Sequence, residues 1–172
     1  MSWGTALLAT PPHPPTARHL REAVAGPVVL ADGVALPSAP AVELVVAFHH
    51  FVTWRRPDAH LVVAGASGEP VALAALMAYV RRLNLSTCWV LADADDAIRA
   101  ACWARADLVV LPTGAGRRDD VAATAALAGV RLLAQGDGPD DALRAGPPRT
   151  LAEAMAVALP GRGATGIGVV AS

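Results

Sequence analysis

Two Gly-rich stretches have the composition of a phosphate or sugar cradle: GASGEP at 65–70 and PTGAGRRDD at 112–120. Glycine lets the backbone approach a ligand closely. A helix that follows offers unpaired amides and the positive end of its dipole to an anion. Neither stretch spells GxGxxG or GxxxxGK[ST], so neither is a dinucleotide or P-loop signature. Arg117 and Arg118 follow the second turn and have the planar fork that meets phosphate bidentately. A plainer account makes them two solvated arginines flanked by Asp119 and Asp120. Together with the turn after the first apolar run, these stretches give the candidate ligand-contacting set Gly33, Gly65, Thr113, Gly114, Arg117 and Arg118.

Other chemistry finds little support. His49 and His50 are adjacent and point about 100° apart on a helix, so they cannot share a ligand in the i, i+4 manner. His13, His19 and His60 have no Cys or Asp at ligand spacing, and no metal site is expected. Ser67 lies outside any GxSxG context. Cys88 and Cys102 are too few for a zinc cage, fall in apolar surroundings and read as buried free thiols, as in a reducing cytoplasm. There is no Lys in the chain, which removes a Schiff-base or P-loop lysine. No catalytic residue and no cofactor are assigned.

The elements that must position these loops repeat with a βα rhythm. Strands are expected at 27–32, 60–65, 87–92, 107–112 and 130–135, each an apolar run without the alternation of a half-exposed strand. That pattern suits parallel strands buried on both faces. Helices are expected to begin near Ala39, Glu69, Ala94 and Asp119, with a last one over Thr150 to Leu159. Leu44, Ala47, Phe48, Phe51 and Trp54 form the apolar stripe of the first, which Arg55, Arg56 and Pro57 end. Leu73, Leu76, Met77, Val80 and Leu83 form that of the second. The fold class is therefore α/β, a three-layer Rossmann-like domain with a parallel sheet. Leu30, Val62, Val63, Val90, Val109, Val110 and Leu132 are expected in its core. In such a sheet ligands sit beyond the carboxyl ends of the strands, which selects the loops DGVALPSAP, GASGEP, ADADD, PTGAGRRDD and QGDGPDD.

Residues 1–26 read as a Pro-rich leader with a short helix over Ala17 to Ala25, 27–160 as the domain, and 161–172 as a Gly-rich tail, compatible with an edge strand or a frayed end. With 172 residues, 54% of them hydrophobic, there is material for one sizeable core. A net charge of −1 gives no field that would recruit nucleic acid or an anionic membrane. No apolar stretch approaches a membrane span and no signal peptide is visible, so a cytoplasmic location is expected.

Taken in order, residues 27–159 resemble the C-terminal, nucleotide-sugar-binding domain of retaining GT-B glycosyltransferases of the group 1, or family 4, type. Gly33, Ala47–Phe48, Pro57–Asp58–Ala59, Leu61 and Gly65 match the family's opening unit. ADLVVLPT at 106–113 is similar to its "Ala-Asp-x-x-x-x-Pro-Ser" strand, TAALAGVRLLA at 124–134 to its "Glu-Ala-Met-Ala-x-Gly-x-Pro-Val-Val-Ala", and TLAEAM at 150–155 to its closing helix.

The departures bear on function. The resemblance places the family's pyrophosphate-holding Arg and Lys at Val34 and Ala39, and its two donor-binding Glu at Gly116 and Thr124, with Asp119 or Asp120 as a stand-in for the first Glu. The "Pro" of the last motif is Arg131. All four charged positions are lost. The family's active site also needs an acceptor domain, for which the 26 residues ahead of the first strand leave no room. The resemblance thus implies a degenerate nucleotide-sugar-binding-type domain, inactive alone, that binds a nucleotide or nucleotide-sugar weakly. It implies a protein partner, either an acceptor domain or a second copy, and with it an exposed apolar rim at Val34, Leu36 and Pro37. One alternative is the donor-binding half of a split transferase. Another is a flavodoxin-like or receiver-type regulatory or protein-interaction domain, against which the missing Lys and the scarcity of Ser and Thr in the loops both count.

Overall fold

The computed structural model describes residues 25–36, 38–66, 68–112, 118–135, 143–145 and 148–159. Its strands are β1 (Val28–Ala31), β2 (His60–Gly65), β3 (Cys88–Ala92), β4 (Leu108–Leu111), β5 (Arg131–Gln135) and β6 (Leu143–Ala145). Its helices are α1 (Ala39–Trp54), α2 (Pro70–Arg82), α3 (Asp96–Arg105), α4 (Arg118–Ala128) and α5 (Pro148–Ala158). The five strands expected from sequence form within a residue or two of their expected bounds; β6 is added at the edge beyond β5, and α5 starts two residues earlier than expected. The short helix at 17–25 and the tail at 161–172 lie outside the described residues.

All six strands pair parallel in the order β3-β2-β1-β4-β5-β6. The chain starts in the middle, winds outward through β2 and β3, then crosses back to β4. This is a doubly wound, three-layer Rossmann-like sheet, and its topological switch point lies between β1 and β4.

Strand side chains alternate between two cores. One gathers Val29, Ala31, Leu61, Val63, Leu108, Val110 and Leu133 with the buried faces of α1, α2 and α5. The other gathers Val28, Leu30, Val62, Val109, Leu111 and Ala134 with α3 and α4. Burial on both faces explains why β1 and β4 are apolar at every position.

Phe48 and Phe51 are fully buried with ring centroids 6.2 Å apart. Ser38 opens α1 by accepting from the Ala41 amide, and Arg55 closes it. Trp54, expected in the buried stripe, is instead 76% exposed. Trp54 is the last residue of α1. Val90 and Leu132, also expected in the core, are only partly buried and pack against it. Val90 lies on β3, the sheet's edge, where neighbours are fewer.

Candidate functional site at the switch point

The carboxyl ends of β1, β2 and β3 open onto two adjoining hollows. The inner one, about 190 Å³, is lined by Asp32, Gly33, Asp96, Arg99, Trp103, Asp120, Val121 and Thr124. The outer one, about 400 Å³, is lined by Gly33, Val34, Ala35, Gly65, Ala66, Asp93, Ala94 and Arg99. Gly33 and Arg99 belong to both. A larger groove of about 670 Å³ lies at the opposite end of the sheet, where the strands begin. There Arg131 donates to the Ala158 carbonyl at 2.7 Å and Arg56 to the Leu159 carbonyl at 3.4 Å, so both serve the C-terminal end of α5. The crevice at the switch point is the place where ligands bind in such sheets.

Its centre is Asp32, the residue after β1, only 3% exposed. Four hydrogen bonds converge on this carboxylate. The Gly33 amide donates to Oδ1 at 2.8 Å. Trp103 Nε1 donates to Oδ2 at 2.9 Å. Arg99 Nη2 spans both oxygens, at 3.1 and 2.9 Å. Arg99 and Trp103 lie one turn apart on α3, so one helical face delivers both donors. The helix is held in register by Asp95, which caps the Ile98 amide at 2.8 Å. The hydrogen bonds it donates to Asp32 hold the Arg99 guanidinium above its usual range, against the pull of burial. Cys102, between these two on α3, is buried, and its thiol is pushed up to about 11 by that burial, with the charge on Asp32 adding to it.

Sequence reasoning placed Asp32 in a candidate loop without singling it out. The available signal was one carboxylate ending an otherwise apolar strand at the switch point.

Gly33 and Gly65 both lie in the wall of the crevice. Gly33 has φ +72°, the left-handed region that lets the chain turn out of β1. Residues 34–36 then run beside the end of β2. The Val34 amide bonds the Ala64 carbonyl at 3.3 Å, the Leu36 amide bonds the Ala66 carbonyl at 3.0 Å, and the Gly68 amide bonds the Leu36 carbonyl at 2.6 Å. A Cβ on Gly65 would overlap the Val34 carbonyl. The absent side chain at 65 therefore admits neighbouring backbone. Arg118 begins α4, and Thr113, Gly114 and Arg117 lie outside the described residues.

One expectation about this loop fails. Val34 and Leu36 are each 1% exposed and sit in the core with α1 and α2. They form no exposed apolar rim; Pro37 lies outside the described residues. Val34 nevertheless lines the outer hollow, so the position that the resemblance matches to a cation is a buried one in the crevice wall. Ala39, by contrast, is exposed at the start of α1.

The other positions drawn from the resemblance divide. Asp120 and Thr124 line the inner hollow, whereas the exposed Asp119 is absent from its wall. Asp107, the acid of the "Ala-Asp" strand, lies at the far end of the sheet. It accepts from the Val28 amide and from Arg105, at 2.8 and 2.9 Å. Arg131, which stands where the family has Pro, anchors α5 as described above.

His49 and His50 stack edge to face at 5.9 Å, away from the crevice, and His60 meets Trp89 edge to face at 6.3 Å. Cys88 is fully buried, which pushes its thiol up to about 12. Among the described residues no cluster of His, Cys, Asp and Glu could hold a metal ion, and no helix is long and apolar enough to cross a membrane. His13, His19 and Ser67 lie outside the described residues.

No protein-family model matches the chain, and no curated protein matches it in sequence. Solved structures do match in fold. An alpha,alpha-trehalose-phosphate synthase (UDP-forming) from Burkholderia xenovorans superposes with a TM-score of 0.64 at 15% identity, over 92% of this chain and 41% of that one. The C-terminal domain of the glycosyl transferase group 1 family protein LpcC from Francisella tularensis gives 0.63 at 16% identity, over 86% of this chain and 83% of that one. Sucrose-phosphate synthase from Thermosynechococcus elongatus gives 0.61 at 20% identity, over 81% and 38%. The chain thus spans about two-fifths of the length of the synthases it matches and most of the isolated C-terminal domain. Its fold is that of a GT-B glycosyltransferase C-terminal domain.

Proposed function

We propose that this chain is a glycosyltransferase-like domain of the nucleotide-sugar-binding type that has lost the means to hold a donor diphosphate and does not transfer sugar by itself. One observation carries the reading: Arg99, the cation in the crevice wall among the described side chains, is paired with Asp32, and Asp93, Asp96 and Asp120 line the same crevice. Their like charge opposes a diphosphate, an effect that solvent screens because Asp93, Asp96 and Asp120 are exposed. A diphosphate entering here meets several carboxylates and must share the Arg99 guanidinium with Asp32. Two lost charge-assisted contacts, at about 1.5–3 kcal/mol each, weaken binding by about two to four orders of magnitude. Any residual nucleotide or nucleotide-sugar contact would fall on Gly33 and Gly65, together with Thr113, Gly114, Arg117 and Arg118.

The test is calorimetry of the native chain with UDP and GDP, beside a transfer assay with UDP-glucose, GDP-mannose and UDP-N-acetylglucosamine. The expected result is no binding below the millimolar range and no turnover. Micromolar affinity, or turnover above a heat-killed control, rules the reading out.

A second reading follows from the fold shared with a C-terminal glycosyltransferase domain solved on its own. On that reading it is the donor half of a split transferase. Turnover that appears only when a separate acceptor-type Rossmann chain is added would establish it, and continued inactivity with such a chain would remove it.

A further inference from the structure

Arg99 is only half used by Asp32. A single nitrogen, Nη2, reaches both carboxylate oxygens, and among the described residues Nε and Nη1 make no hydrogen bond. The side chain is 33% exposed and lines both hollows. The stronger arrangement, two nitrogens side by side on one carboxylate, is not the one used here. The guanidinium is held by one corner and presents its remaining donors to the crevice.

The rest of the arrangement has the same character. A backbone amide, an indole N–H and a guanidinium, from two separate elements, converge on one point at 2.8–3.1 Å. Convergent, charge-assisted donors in a partly desolvated hollow make an anion receptor. The anion in it belongs to the chain itself.

We propose that the switch-point crevice is a carboxylate- or phosphate-binding receptor filled by the chain's own Asp32, so that an incoming anionic group must compete with Asp32 for Arg99. The inference rests on the reading that the native crevice does not hold a diphosphate, and it supplies the cause: the place of the anion is taken. Both a carboxylate and a phosphate offer the paired acceptor oxygens that Arg99, Trp103 and the Gly33 amide would meet.

The experiment uses the full chain and two probes, acetate and inorganic phosphate, with ionic strength held constant by chloride. In Asp32→Asn the shape of the side chain is kept and its charge removed. The expected result is at least a tenfold gain in affinity for one or both probes over the native chain, and loss of that gain in Asp32→Asn with Arg99→Gln. Acetate against phosphate then identifies which anion the receptor prefers. Asp32→Gly removes a fragment equivalent to acetate. Acetate should raise its melting temperature saturably, by about 3 °C or more at ten times the dissociation constant.

A folded Asp32→Asn that binds neither probe more tightly overturns the proposal. So does a gain that survives Arg99→Gln. If Asp32→Asn does not fold, Asp32→Gly refolded with and without 100 mM acetate decides the matter. Recovery with acetate supports the receptor, and failure to recover refutes it. Micromolar UDP binding by the native chain would defeat the functional reading instead, a separate result from either variant.

Discussion

Trp103 Nε1 donates to Asp32 Oδ2 at 2.9 Å across 71 residues of sequence, tying the last turn of α3 to the end of the central strand β1. With Arg99 one turn earlier, this bond fixes the helix that crosses back over the sheet at the point where the strand order reverses. An indole N–H to a carboxylate is a charge-assisted bond, worth about 1.5–3 kcal/mol when its partner is buried. Trp103→Phe keeps an aromatic ring and removes the donor. Urea unfolding should show a loss in that range, while Trp54→Phe, on an exposed ring, should stay within about 0.5 kcal/mol of the native chain.

Gly65→Ala should be among the most damaging single changes in the domain. Its Cβ would overlap the Val34 carbonyl, and the obstacle is backbone that is itself bonded to Ala64. The expected loss is about 3 kcal/mol or more. Gly129→Ala is the comparison. Nothing lies within 4 Å of its Cβ, so only the φ of +66° is penalised, at about 1–2 kcal/mol. Thermal melts of the two variants should rank in that order.

Restoring cations where the family resemblance places them should fail. Val34→Arg puts a charge without a partner into the core beside α1 and should cost several kcal/mol. Ala39→Lys adds a cation at an exposed helix start, unfavourable by only about 0.3–1 kcal/mol through the helix dipole. The double variant should therefore unfold before it gains any nucleotide affinity, and circular dichroism with calorimetry separates the two outcomes.

The thiols should be silent in the native protein. Burial pushes Cys88 up to about 12 and Cys102 up to about 11, so almost no thiolate exists near pH 8. A thiol reagent should react with both only at the rate of unfolding. Because the folded values lie above the unfolded value of about 8.5, their contribution to stability is complete below that pH. It is lost as pH rises through the folded values, so alkaline unfolding should weaken in Cys88→Ala relative to its own neutral-pH stability.

His60 should give the opposite dependence. Burial lowers its pKa from the ordinary value near 6.5, and the charge on Arg105 adds to the shift while Asp58 opposes it. A lowered folded value means the unfolded chain binds the proton first. The contribution is present above about pH 6.5 and is lost as pH falls toward the folded value. His60→Phe, which keeps a ring against Trp89, should flatten this acid-side slope in urea midpoints measured from pH 7.5 to 5.

The sequence by itself determined the elements and the class of fold. Runs such as VVLA and LVVL are apolar at each position because both faces of β1 and β4 are buried, and that requirement is written in consecutive residues. The βα rhythm likewise follows from local signals: the stripe through Leu44, Phe48 and Phe51, and Arg55, Arg56 and Pro57 at its end. The ordered fragments along 27–159 added the GT-B half, which the solved structures match in fold. Tertiary structure alone decided which way each loop residue faces. Val34 lies in a loop by pattern but in the core by position, because residues 34–36 run along β2. Trp54 matches its stripe by period but is exposed at the last position of α1. The centre of the crevice was least legible of all. Asp32 lies 67 residues from Arg99 and 71 from Trp103. Helix and strand periodicities govern neighbours a few residues apart; groups this distant are brought together only by the crossover from β3 to β4.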